Sequence, residues 1–234
     1  MITNSWLINN DDYVIPSIYA SQVLIYFIIW CLSYKWYNDL VKKHNLLIKI
    51  PLEKHLEAKT RVISSLHAVI LSFFSFCYLS GILNFESWTI CLPISGGFGL
   101  FDLTMITLNY NKFKKGYFAT STHHLCLIFG PLTTTYNSSI LISQAYLFET
   151  TVPILDVAWY LYNANKRNSF IFKFTSIISV LLFLVFRVFN SAYLTYSVIN
   201  GNIAITFFSS YFFALNIYWF KKLVNVFLKE LKNV

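Results

Sequence analysis

Charge is scarce in this sequence. Asp, Glu, Lys and Arg make up 12% of its 234 residues, about half the share of an ordinary soluble domain. A chain so poor in charge cannot clothe a water-facing surface, which argues against a soluble enzyme. Acidic residues are rarer still, 10 against 18 Lys and Arg. Cysteine is limited to Cys31, Cys77, Cys91 and Cys126, scattered singly. With no CxxC and no Cys/His zinc spacing, the four read as small apolar packing residues, and no metal is expected. Also missing are an internal repeat, a low-complexity linker and the basic, apolar and small-residue pattern of a cleavable signal peptide. Membrane insertion is therefore expected to be led by the first span. The net charge of +8 could suggest nucleic acid, but no basic run accompanies a motif that reads DNA or RNA. No nucleic-acid partner is expected.

What the chain has instead is apolar length. It is 56% hydrophobic and 19% aromatic, the profile of a multi-span membrane protein. Crossing a hydrocarbon core takes about 20 residues. Seven segments reach or approach that length: Tyr13–Trp36, Thr60–Leu83, Cys91–Tyr110, Phe118–Thr134, Ser139–Tyr162, Phe170–Ile199 and Ala204–Phe220. The fold class predicted is all-α, a polytopic membrane protein of seven transmembrane helices. A single domain is expected, with the first helix free to stand at its margin.

The basic residues alternate between the connections. Lys35, Lys42, Lys43, Lys49, Lys54, Lys59 and Arg61 follow the first span, and the connection around Glu86 has none. Lys112, Lys114 and Lys115 come next, then none around Thr135–Ser138; Lys166, Arg167 and Lys173 follow, then none near Asn200. Lys221, Lys222, Lys229 and Lys232 close the chain, and the N-terminal tail carries only Asp11 and Asp12. Every Lys and Arg except Arg187 thus falls on one side of a seven-span chain, and that side is the cytosol. The N-terminus is then lumenal and the C-terminus cytosolic. Asn137-Ser138-Ser139 forms the one N-x-[ST] sequon, in a short lumenal turn.

Ionisable groups inside such spans face a protein interior and mark function by default. A helix rises 1.5 Å per residue, so depth can be counted from each cytosolic end. His67 lies roughly 10 Å deep, Asp102 roughly 12 Å, His123 and His124 about 8 Å and Asp156 about 9 Å, with Asn216 similar. Five helices thus deliver polar groups to one layer, where unrelated accidents would scatter. Glu149 and Arg187 lie deeper. Arg187 either snorkels or pairs within the bundle, and Asn190 follows one turn on. Glu149 and Asp156 are seven residues apart and should share a helix face, with Pro153 kinking the helix between them. Ser64 stands one turn before His67. Gly96, Gly97 and Gly99 let neighbouring helices approach closely.

Several strings resemble the TLC family, which includes the ceramide synthases. TRVISSLHAVILS is similar to that family's Arg…Ser…His-Ala segment, GGFGLFDL to its Gly-Tyr-Phe…Asp helix, and THHLCL to its double-His helix. ETTVPILDVAWYL resembles the Glu…Pro…Asn-x-Arg-Trp segment of small single-domain members, and FRVF and LNIYWFKKL resemble the last two helices. The likeness runs from about Lys54 to Lys229. It implies a division into residues 1–53 (tail, first helix and basic loop), a six-helix TLC domain at 54–230, and a cytosolic tail at 231–234. It further implies a barrel of six helices around a lipid-accessible tunnel, in a protein of the endoplasmic reticulum. Ceramide synthases follow the double His with further aspartates, where this chain offers Gln144, Glu149 and Asp156 and sets Asp156 in place of the small members' asparagine. The small branch is the closer likeness.

Three functions are open at this point. One is lipid homeostasis, of sphingolipid or membrane composition, with a membrane lipid or acyl chain held in the tunnel and no cofactor. Arg61, His67, Glu149, Arg187 and Asn216 would then form the polar lining. A cargo receptor of the early secretory pathway is a variant, although only Lys232 of a dilysine signal is in place. The second is ceramide-synthase-like N-acyl transfer from acyl-CoA to a sphingoid amine. His123 or His124 would be base or nucleophile, and Asp102 or Asp156 would orient the imidazole. Cytosolic lysines would attract the CoA phosphates. The third is an intramembrane zinc hydrolase, drawing on His67, His123, His124 and Asp102. Adjacent histidines point about 100° apart on a helix, and the last helix supplies none.

Overall fold

The computed structural model describes residues 16–114, 116–133, 138–199 and 203–232. Asp11, Asp12, Lys115, Asn137 and the turn at Asn200 lie outside them. The described residues form helices and turns, with no strand. The first is α1 (Pro16–His44), and a one-turn 3-10 segment (Leu52–Lys54) leads into α2 (His55–Leu79). A short α3 (Phe85–Trp88) precedes α4 (Cys91–Leu108), α5 (Tyr110–Phe113) and α6 (Tyr117–Phe129). Then come α7 (Ser139–Tyr146), α8 (Val152–Asn163), α9 (Phe170–Phe183), α10 (Asn190–Val198) and α11 (Ile203–Lys232).

Five stretches among the described residues are long and apolar enough to cross a membrane: Ser17–His44, Leu52–Leu79, Phe85–Leu108, Ser139–Asn163 and Phe170–Val198. The chain is thus all-α and built as a multi-pass membrane protein. The other two expected segments are helical but differently proportioned. The 13 residues of α6 rise only about 20 Å, and a 3-10 turn, Gly130–Thr133, continues them. The 30 residues of α11 rise about 45 Å, with Lys221, Lys222 and Lys229 in the second half. Large side chains such as Phe73, Phe76, Phe189 and Phe207 are exposed on the outside of the bundle. Such a surface would be a liability in water and suits a hydrocarbon surround.

Local chemistry sets the helix ends. Lys42, Lys43 and His44 lie in the last turn of α1, where cations meet the negative end of the helix dipole, and Asn45 follows at φ 51°. Gly81, at φ 73°, ends α2, and the Ile82 N–H returns 2.8 Å to the Cys77 carbonyl, a left-handed glycine cap. Ser169 caps α9 by accepting from the Phe172 N–H at 3.2 Å.

Helices α7 and α8 were expected as one kinked helix. The structure divides that stretch with a 3-10 segment, Leu147–Thr151, and sets Pro153 in the first turn of α8. Pro153 has no N–H to return to the Glu149 carbonyl, so the Val152 N–H bonds it instead, tightening the turn. Glu149 thus lies in the 3-10 segment and Asp156 in α8.

One core joins α1, α2, α3, α4, α6 and α7 through Trp30, Leu71, Trp88, Phe98, Leu127 and Tyr146. Helix α1 is tied into it at two levels. The Trp30 Nε1–H donates to the Ile94 carbonyl at 3.3 Å, and the Tyr19 hydroxyl to the Ile128 carbonyl at 2.7 Å. The glycines of α4 make this approach geometrically feasible. A Cβ on Gly96 would meet the Tyr19 hydroxyl, and one on Gly97 would stand 2.8 Å from the Phe27 backbone nitrogen. Inside lipid, such close packing replaces the hydrophobic effect as the force between helices. A second, smaller core lies at the other end of α1, where Val41, Leu47, Ile50 and Ala58 pack against Trp159 and Tyr160.

Candidate functional site

A cavity of about 1080 Å³ lies between α2, α4, α6, α8, α9 and α11, at the upper end of ligand-pocket sizes. Its walls are apolar, drawn from residues such as Val152, Leu155, Phe172, Ile177, Leu223 and Phe227. Lys54, Arg167 and Lys173 line it as well. These come from the α1–α2 connection, the α8–α9 connection and the first turn of α9, all connections on the same side of the bundle. Arg187 stands roughly 20 Å further along the α9–α10 axis than Lys173. At that inner end the lining is polar again, with Asp102, His123, His124, Glu149 and Arg187.

The inner groups pair across helices. His124 on α6 and Asp102 on α4 are in contact, Nε2 to Oδ2 at 2.6 Å, with side chains 6% and 14% exposed. The carboxylate therefore accepts the Nε2–H. That tautomer leaves the lone pair on Nδ1, which has no hydrogen-bond partner among the described residues. Gly99 sets the spacing, since its missing Cβ would lie 3.0 Å from the His124 carbonyl oxygen. The Phe98 ring fits edge-on against His124 at 5.9 Å between centroids.

Glu149 is the hub of the deeper cluster. His123 Nε2 lies 3.7 Å from its Oε1, and Arg187 Nη2 lies 3.8 Å from the same oxygen. Both are ion-pair rather than hydrogen-bond distances. What fixes the guanidinium is its Nε–H, which donates to the Phe148 carbonyl at 3.0 Å and to Thr151 Oγ1 at 2.8 Å. Both acceptors belong to the 3-10 segment, and Arg187 itself sits in a π-helical turn, Leu184–Phe189. Two irregular turns thus face each other. Each frees backbone groups that a regular helix would consume, a common trait of functional sites. Arg187 also approaches the rings of Phe183 and Trp219, at 5.3 and 5.8 Å. It pairs inside the bundle and does not snorkel.

Of the remaining sequence candidates, Asp156, His67 and Asn216 stand apart from the lining. Asp156 does not reach a histidine, because α2 claims both of its oxygens. Arg61 Nη1 donates to Oδ1 at 2.6 Å and Ser65 Oγ to Oδ2 at 2.7 Å. Arg61 also donates to Glu57, stands over the Trp159 ring at 4.7 Å, and lines the cavity. His67 is fully buried, stacked on Phe98 with centroids 3.9 Å apart and edge-on to Trp30. It is packed behind the cavity wall, and neither ring nitrogen has a partner among the described residues. Asn216 is buried on α11 and likewise outside the lining. Among the described residues no group of three or more His, Cys, Asp or Glu side chains is arranged to hold a metal.

Sequence reasoning missed Ser65, Thr151, Phe98 and Trp219. Ser65 lies one turn after Arg61 and Thr151 two residues after Glu149, spacings visible in the sequence, whereas Phe98 and Trp219 are aromatic residues among many.

The chain was compared with known proteins. No family model matches it, and no curated protein matches its sequence.

Proposed function

We propose that this chain is a lipid-handling membrane protein that holds a hydrocarbon chain in the cavity between α2, α4, α6, α8, α9 and α11. The observation that carries the reading is the order of chemistry along that cavity: a basic rim, an apolar length and a polar inner end. That order matches an amphiphile whose anionic head meets Lys54, Arg167 and Lys173 while its chain lies along Phe172 and Phe227. The likeness to the TLC family supports the same reading, with seven spans, six of them forming a barrel. It also supports residence in the endoplasmic reticulum and a role in sphingolipid or membrane composition. Charge asymmetry supports a lumenal N-terminus and a cytosolic rim. The test is native mass spectrometry of the protein purified in mild detergent. A co-purifying lipid, lost when Phe172 and Phe227 are both changed to Arg, is expected. A protein that emerges lipid-free, with its fold intact, sinks the reading.

One observation favours a second reading, N-acyl transfer from acyl-CoA. Asp102 holds His124 in the tautomer whose free Nδ1 can take a proton from an amine or attack a thioester carbonyl. On this reading the chain is an enzyme, with His124 reacting and Asp102 positioning it. Lipidomics of cells expressing or lacking the protein separates the two readings. Acyl transfer changes the amount of N-acylated sphingoid bases, and passive holding does not.

A further inference from the structure

Helices α6 and α11 both line the cavity, through Thr120 and His123 on one and Trp219 and Leu223 on the other. Around the rest of the circuit neighbouring helices pack along their lengths. Helix α6 lies on α4, α4 on α2, α2 on α7 and α8, α8 on α9, and α9 and α10 on α11. Between α6 and α11 the described residues make no comparable packing. What spans the gap is a row of rings. His123 lies edge-on to Phe212 at 5.8 Å and edge-on to Trp219 at 6.1 Å between centroids. Phe118, Leu125 and Phe129 on α6 and Phe208 on α11 are large, apolar and exposed.

Edge-to-face ring contacts contribute about 0.5–1.5 kcal/mol each beyond area burial. Interdigitated helix packing engages whole ridges of side chains. The seam is therefore the weakest stretch of wall, and it separates the cavity from lipid. The geometry points to a lateral portal between α6 and α11, through which the acyl chain of a bilayer glycerolipid enters, with His123, Phe212 and Trp219 as its closure. The occupant follows from continuity. An apolar outer surface, an aromatic row and an apolar cavity wall succeed one another, and the charged groups behind His123 are Glu149 and Arg187. The inference rests on the lipid-holding reading and adds the route and the source of the lipid. His123 then has two neighbourhoods, Glu149 on its inner side and the ring row on its outer side. An entering chain must displace the histidine ring from one toward the other.

The test uses the full chain in phosphatidylcholine vesicles containing phosphatidylcholine with a mid-chain diazirine. That probe is bilayer-resident and carries no net head charge. After illumination, labelled residues are mapped, and label on the buried, cavity-lining Ser179, Phe183 or Arg187 reports entry. In a Cys31→Ser, Cys126→Ser background, Phe212→Cys is compared before and after reaction with a bulky methanethiosulfonate. The expected result is interior labelling that falls several-fold on modification. Trp219→Ala, which removes a ring without adding a plug, should raise the labelling rate. Labelling unaffected by the plug overturns the portal while leaving the lipid-holding reading intact. Trp219→Ala leaving the rate unchanged overturns it too. An interior that never labels, even in the unaltered protein, overturns both.

Discussion

His124 Nε2 and Asp102 Oδ2 lie 2.6 Å apart, a contact that locks α6 to α4 at the inner end of the cavity. Buried hydrogen bonds in membrane proteins contribute about 0.6 kcal/mol on average and about 1.7 at the top of the measured range. His124→Ala is therefore expected to fold, with a thermal midpoint lowered by a few degrees. If the group works on lipid, the same variant should lose its effect on the lipid profile of cells. Alanine variants of His123 and His124 that both fold and both keep the full effect would move the working site elsewhere.

Gly97 offers a prediction about assembly. A Cβ there would lie 2.6 Å from the Tyr26 Cβ and 2.8 Å from the Phe27 backbone nitrogen. Neither neighbour can swing aside, since both atoms are fixed to the α1 helix. Gly97→Ala should force α1 off α4 and destabilise the fold by about 1–3 kcal/mol, the range for overpacking. Gly130→Ala is the matched control, because its Cβ would meet nothing within 4 Å. Equal unfolding temperatures for the two variants would contradict the packing described between α1 and α4.

The helical class and multi-pass character are legible in the sequence because a hydrocarbon core demands long apolar runs, and this chain has them. The meeting of Asp102 and His124 is half legible. Counting 1.5 Å per residue puts both at one depth, but depth carries no azimuth, and the same count equally offered Asp156. Only tertiary packing decides that Arg61 and Ser65 take both Asp156 oxygens. The break at Leu147–Thr151 was read as a kink, because Pro153 announces a lost hydrogen bond without saying whether the helix bends or restarts. His67 shows the limit of polarity as a guide. Its ring packs as an aromatic, flat on Phe98, and helical spacing does not reveal that.

The hub at Glu149 predicts non-additivity. Arg187→Met alone leaves a buried carboxylate without its cation, a change that typically costs about 3–5 kcal/mol. Glu149→Gln alone strands the guanidinium in the same way. Removing both charges together should cost less than the sum of the two, because neither is then left unpaired. Chemical denaturation of the four proteins in detergent measures the coupling. Strict additivity would mean that the 3.8 Å approach carries no energy, and that Arg187 is held only by the Phe148 carbonyl and Thr151.

The basic lining predicts an orientation. Lys54, Arg167 and Lys173 come from separate connections and line the cavity. Lysine- and arginine-rich connections are retained in the cytosol during insertion. The cavity mouth is therefore expected to face the cytosol, and seven spans would put the two termini on opposite sides. A tag placed before Met1 should be protected from protease in sealed microsomes, and one placed after Val234 should be cleaved. Asn137 then belongs to the lumenal side, and Ser139, two residues on, is fully buried at the start of α7. An acceptor held so close to the helix ends should escape the glycosyl-transfer machinery, leaving gel mobility unchanged by glycosidase. Equal protease access to both tags would require an even number of spans. Either α6, with its 13 residues, or α11 would then fail to cross.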